Sequence, residues 1–320
     1  LVFWDKNEIV LKYDECVRAS SQKRADEILQ KRIAIESIEG RYFKVGKVDD
    51  SSVSFNSKWT VYVPSHISSV AASNSFGNIT VGKGFSGLIR IDVQNGDVNI
   101  PETKAMCVVE VTHGNFYVGN AAYLNMTTKH ANGTISFAQT LKVQAEHADF
   151  CKIDKADVMT INSKHSKIKV GNVGQLSSQG SYSTLEVNKL SGLANIRDMQ
   201  HSTIEMDKFL GKLDATDLSY SKLNITISKY NHTPVIMVTD LDYTDVMVKL
   251  PASLRTSTYV NGKGSCKSTS SGTAKIKSSA PWSSPNGVST HVFQNTESFN
   301  PNSLIDINNE SYGTILIEEY

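Results

Sequence analysis

From Phe76 onward one restriction returns with a fixed period: after a leading His, Tyr, Phe or Asn, the next residue is never large. Taking the leading residue as position 0, it falls at Phe76, Asn95, His113, His130, His147, His165, Tyr182, His201, Tyr220 and Tyr243, with further members expected at Asn261 and Tyr312. The following position holds Gly77, Gly96, Gly114, Ala131, Ala148, Ser166, Ser183, Ser202, Ser221, Thr244, Gly262 and Gly313, so nothing larger than Thr is admitted. Two and four residues further come aliphatics, among them Ile79 and Val81, Ile168 and Val170, Leu185 and Val187, and Val246 and Val248. Alternation of this kind places the small residue and both aliphatics on the inner face of a strand, and position 0 on its outer face.

Spacings up to Tyr220 are 17 to 19 residues. Helical repeats need about 33 or more, whereas one strand, a corner, a second strand and a turn fit this length. Such a unit cannot bury its apolar side alone, so the units must stack. The expected fold is therefore mostly β: a parallel β-solenoid of about 10 to 12 short rungs, a rod of roughly 50 Å at ~4.8 Å per rung. Gly82, Gly119 and Gly171 are expected at turns, and Val173, Leu190 and Phe209, eight residues past position 0, close the coil. "HANGTISF" has Gly133 where an aliphatic is due and "HADFCKI" delays its second aliphatic to Ile153; both read as bulges.

Residues 1–65 lack the repeat and read as an N-terminal α+β cap, with strands around one helix at about 21–32. Ser20 or Ser21 can cap that helix, and Ala25, Ile28 and Leu29 form its apolar stripe. Residues 66–320 form the solenoid, interrupted at about 268–303 by a loop or hairpin excursion rich in Ser, Asn and Pro. "LIDINNESYGTILIEEY" then returns to the repeat as a terminal rung.

Composition removes several classes of function. Lys and Arg number 33 against 32 Asp and Glu, which leaves no field to gather a polyanion, so nucleic acid is not an expected partner. The four cysteines, Cys16, Cys107, Cys151 and Cys266, are scattered without metal-knuckle spacing, and they are read as mostly free thiols. No run of 18 apolar residues occurs, so no transmembrane segment is expected. No nucleotide-binding or hydrolase motif appears, and neither catalytic residue nor cofactor is assigned.

The stretches "WDKNEIVLKYD", "ADEILQKR", "WTVYVPSH", "NSFGNITVG", "SKHSKIKVGNVGQL", "GSYSTLEV" and "LSYSKLNI" together resemble the auto-transporter adhesin head-like proteins of Gram-negative bacteria. The resemblance covers nearly the whole chain, and its motifs are structural. It implies a right-handed parallel β-helix exported to the periplasm or cell surface, without established catalytic residues; a lipid anchor upstream of Leu1 is compatible with it. Where the family usually carries Tyr or Phe at position 0, this chain has His in five rungs.

Two columns are candidate sites. The outer ladder His113, His130, His147, His165, Tyr182, His201, Tyr220 and Tyr243 reads as a binding strip for a glycan or an extracellular protein. Its four consecutive histidines could instead hold a metal or sense pH, but they are read foremost as replacements for Tyr in a stacking ladder. Three residues before position 0 stand Asp198, Asp217 and Asp240, a weak candidate for calcium, preceded in the same column by Glu110, Thr127, Gln144, Asn162 and Gln179. A solvated polar ladder is the reading favoured for that column. Lys164, Lys167 and Lys169 read as a solvated face. The expected function is a non-enzymatic, adhesin-like or scaffold protein. The alternatives are a polysaccharide lyase or hydrolase using Arg197 and the Asp column, or a structural envelope spacer.

Overall fold

The computed structural model describes residues 1–31, 33–38, 42–47, 54–231, 233–251, 254, 257–263, 276–278, 282–283, 288–295, 304–309 and 313–320. Two compact units divide the chain, Leu1–Pro64 and Ser65–Tyr320.

The first unit runs β1 (Val2–Trp4), β2 (Val10–Arg18), α1 (Gln22–Lys31), β3 (Ile33–Ile38), β4 (Tyr42–Lys47) and β5 (Ser54–Pro64). β5 is central, with β1 parallel on one side and β2 antiparallel on the other. β3 and β4 form a separate antiparallel pair. At the start of α1, Ser21 is the cap: its Oγ accepts from the Arg24 amide at 3.3 Å, which satisfies one of the donors that a helix start leaves open. Of its apolar stripe, Ile28 is buried and Ala25 half-buried.

The second unit begins with β6 (Ser69–Asn74), β7 (Ile79–Thr80), β8 (Leu88–Val93), β9 (Val98–Glu146), β10 (Cys151–Lys164) and β11 (Lys167–Ser181). It continues with β12 (Thr184–Leu190), β13 (Leu193–Gln200), β14 (Thr203–Phe209), β15 (Lys212–Ser219), β16 (Lys222–Ile227), β17 (Val235–Asp242) and β18 (Asp245–Leu250). Last come β19 (Ser257–Lys263), β20 (Ile276–Ser278), β21 (Trp282–Ser283), β22 (Val288–Asn295), β23 (Leu304–Asn309) and β24 (Ile315–Glu319). Pairing is parallel between one rung and the next: β12 with β14, β14 with β16, β16 with β18 and β18 with β24 make one sheet. β13 with β15, β15 with β17 and β17 with β23 make the other. β9, β10 and β11 carry their rung-to-rung pairing around corners and contribute to both sheets. The result is a mostly β solenoid of about nine turns.

Its core is a set of ladders between the two sheets. One runs Cys151, Ile168, Leu185, Ile204, Leu223, Val246 and Ile315, and every member is at most 2% exposed. Burial pushes the Cys107 and Cys151 thiols up to about 12, which leaves them protonated and inert. Cys16 is free and exposed, while Cys266 lies outside the described residues.

Several local expectations are corrected. Gly133 is no bulge: it pairs in register with Cys151, and a Cβ there would lie 2.6 Å from the Phe116 ring, which fills the missing volume from the rung before. "HADFCKI" does carry one extra residue ahead of Cys151, after which Ile153 aligns with Ile135 and Val170. Gly119 and Gly171 lie inside strands β9 and β11 rather than at turns. Each is small because a Cβ would meet a carbonyl oxygen of the preceding rung, Pro101 at 2.0 Å and Asp154 at 2.4 Å. Asn261 opens no rung: it sits mid-strand in β19, opposite Asn308. Tyr312 lies outside the described residues. In the 268–303 excursion the described strands β20 and β21 pair antiparallel with β22, which itself pairs with β19.

Candidate functional site

Position 0 is not on the outer face of a strand but at a corner. Asn95, His113, His130, His147, His165, Tyr182, His201, Tyr220 and Tyr243 all have positive φ, between 42° and 55°. This left-handed conformation costs an L-residue about 1–2 kcal/mol, and His and Asn tolerate it better than most. The corner is built to offset that cost, in part by a hydrogen-bond relay. A chain that turns through one left-handed residue points the next amide away from the regular strand pairing. In the later rungs that amide donates to the hydroxyl one rung on: Ala148 to Ser166 at 3.1 Å, Ser166 to Ser183 at 3.3 Å, Ser183 to Ser202 at 3.2 Å, Ser202 to Ser221 at 3.1 Å and Ser221 to Thr244 at 3.3 Å. Each hydroxyl donates in turn across its own corner to the carbonyl two residues earlier, at 2.8–3.0 Å. All five hydroxyl residues are buried, so an unpaired group here would bear its full desolvation cost.

The side chains at position 0 project outward and stack. From His113 through His130, His147, His165, Tyr182, His201 and Tyr220 to Tyr243, ring centroids lie 4.7–5.0 Å apart with interplanar angles of 4–14°. The expected ladder is thus one continuous stack, and its geometry limits what it can bind. Every inner ring has both faces covered by its neighbours, so only edges reach solvent; Tyr182 and Tyr220 are 54% and 53% exposed. Ring nitrogens and phenol oxygens therefore form a row of hydrogen-bonding heads rather than a set of open platforms. The stacked imidazoles also project their in-plane lone pairs side by side. An ion held midway between two such planes would lie well out of both, against the in-plane approach at ~2.0–2.1 Å that a zinc–imidazole bond needs. Among the described residues no group of three or more His, Cys, Asp or Glu converges on a point that could hold a metal. Glu146 lies 3.9 Å from His147 and 3.3 Å from Lys129. Its carboxyl is held below the usual carboxylate range by the Lys129 hydrogen bond and charge, with His147 and Lys164 adding to the effect.

The aspartates are corner residues of a second kind. Asp198, Asp217 and Asp240 have φ of 50°, 58° and 53°. Ser178 pairs with Ile196 and Gly180 with Met199, so the later strand carries one extra residue, accommodated at Arg197 and Asp198. Between Val173 and Leu176 a second extra residue enters the next rung, whose partners are Leu190 and Ala194. These two insertions account for the change of period from 17 to 19 residues at Tyr182. Asp suits the left-handed bulge because its short polar side chain tolerates that conformation. Asp240 accepts from Thr216 Oγ1 at 2.9 Å. Arg197 turns to Asp214, 3.5 Å away, rather than to the Asp column.

On the sheet that carries β12, β14 and β16, Lys167 and Lys169 both reach Glu186, at 2.8 and 2.7 Å. Glu186 is held below its usual range by these two hydrogen bonds and charges. The opposite sheet carries Gln144, Asn162 and Gln179, the earlier members of the Asp column read as a solvated polar ladder, exposed and in register on successive rungs. Their signal was present in the sequence as an absence of charge. No protein-family model, curated protein or solved structure matches this chain.

Proposed function

We propose that this chain is an exported, non-enzymatic, adhesin-like scaffold whose periodic outer face binds glycan or protein ligands at the periplasmic or cell-surface side of an envelope. The observation that carries the reading is the periodicity of the outer face, whose side chains recur in register from rung to rung, with the eight stacked corner rings marking the spacing at 4.7–5.0 Å. A regular array of weak hydrogen-bonding heads suits a repetitive ligand, because each added contact acts at high effective concentration. The rigid parallel framework holds those heads at fixed spacing before any ligand arrives, which reduces the ordering cost of binding. The test is a glycan and extracellular-matrix array probed with the purified chain, with and without calcium, at pH 5.5 and 7.5. Saturable binding to a repetitive glycan or matrix protein is the expected result. Silence across the array under every condition would overturn the adhesive reading in favour of a spacer.

A further inference from the structure

The two sheets of the solenoid differ in chemistry on the same rungs. On one, lysines and acids alternate and pair: Lys152 with Asp154 at 2.7 Å, and Lys167 and Lys169 with Glu186. On the other, two outward columns run Lys142, Thr160 and Ser177, and Gln144, Asn162 and Gln179, each member in register with the next. Five of these six side chains are uncharged hydroxyls or amides, and all six are exposed. Together they border a shallow depression of about 220 Å³.

These heads are not consumed by the fold. Elsewhere in the solenoid amide and carboxylate side chains are used internally: Asn78 Oδ1 accepts from the Asp97 amide, Asp97 from the Asn115 amide and Asn132 from the Phe150 amide, all at 2.8–2.9 Å. Among the described residues no such bond engages the side chains of Gln144, Thr160, Asn162, Ser177 or Gln179. Each of the five offers both donor and acceptor capacity. The rows repeat at ~4.8 Å along the rod, and the columns stand two residues apart, ~6.7 Å. One period before Thr140 in β9 stands Tyr123, 55% exposed. No ring stacks on it among the described residues.

We propose that this sheet face, and not the corner ladder, is the binding site of the adhesive reading, and that its ligand is a neutral, hydroxyl-rich polysaccharide. The inference rests on that reading and supplies its ligand class. Sugar hydroxyls are donors and acceptors at once, and amide and hydroxyl side chains match both roles. A polyuronate or a nucleic acid would need a series of cations to offset its charge, and the grid has Lys142 alone. A protein partner would be anchored by buried aromatic or Arg residues, and within the grid none is present.

The test is affinity electrophoresis of the purified chain in gels containing a soluble β-glucan, a galactomannan, an arabinoxylan or, as the acidic control, a polyuronate. Two variants accompany the wild type: the triple substitution Gln144→Ala, Asn162→Ala, Gln179→Ala, and the ladder variant Tyr182→Ser, Tyr220→Ser. The grid residues are exposed, so the triple variant should keep the wild-type melting temperature, and this is checked. Retardation by a neutral polysaccharide that weakens at least tenfold in the triple variant, and persists in the folded ladder variant, is the expected result. Equal binding by the triple variant with loss in the ladder variant would overturn the grid site while leaving the adhesive reading intact. Retardation by the polyuronate alone would overturn the ligand class. Failure with all four polymers, with binding on a matrix-protein array, would overturn this inference but not the adhesive reading; failure on both would overturn the two together.

Discussion

The early and late rungs make the same corner in two ways. From Gly77 to Ala148 the residue after position 0 is Gly or Ala, and at two of these places the reason is steric: a Cβ on Gly96 would lie 2.1 Å from the Gly77 carbonyl oxygen, and one on Gly114 1.9 Å from that of Gly96. From Ser166 to Thr244 the rungs hold a side chain there, and its hydroxyl joins the corner to the rung before and to its own strand. One half of the solenoid keeps the space closed; the other fills it with a buried relay. The left-handed corner and the ring stack continue through both halves, so a single outer geometry is compatible with two inner solutions.

The comparison can be broken most severely in the early half. Gly114→Val should destabilise the solenoid by about 3 kcal/mol or more, since the contact is with backbone that cannot rotate away, and the midpoint of urea unfolding should fall accordingly. In the late half, Ser202→Ala should cost about 1–3 kcal/mol, because it leaves the Ser183 amide without its buried acceptor and removes one of the two donors to the Gln200 carbonyl, which keeps the Tyr182 amide. Ser202→Thr should recover most of that loss, as Thr244 performs the same role in the next-but-one rung.

A smaller effect sharpens the view of the shared outer geometry. Tyr220→Ala removes two ring stacks, each of about 0.5–1.5 kcal/mol, and keeps a Cβ on a left-handed residue. Tyr220→Gly removes the same stacks but relieves about 1 kcal/mol of backbone strain, so in thermal melts the glycine variant should be the more stable of the two. An equal loss for both would mean that the corner, rather than the rings, carries no strain.

The smallest effect concerns charge. Glu186 has a depressed pKa in the folded chain, so its contribution is present above the ordinary glutamate range of about 4.3 and is lost as the pH falls through the lower folded value. Glu186→Gln should therefore leave a shallower acid limb in a plot of melting temperature against pH from about 5 downward. If the variant and the wild type had parallel acid limbs, the Lys167 and Lys169 contacts would be without energetic consequence.

How legible this was depended on how local each signal is. The small residue after position 0, the paired aliphatics of the inner ladders and the parallel solenoid itself could be read from the sequence, because burial repeats every second residue along one strand. The ladder from His113 to Tyr243 was legible as a column but not as a closed stack, since spacing along the chain is silent on the angle between rings. The Asp column was legible as a repeat, while its cause, a left-handed bulge that adds a residue to the rung, was not. Gly133 looked like a defect until Phe116 of the preceding rung was seen to fill its space.

By itself, then, the sequence determined which side chains face inward, how long each rung is and where the period changes, because these depend on alternation and length along a single strand. Only the tertiary structure decided which hydroxyls relay between rungs, which ring faces are covered and which amides are left uncommitted. Those properties belong to pairs of residues 17 to 23 positions apart, and such pairs meet only after every intervening corner and bulge has set the register.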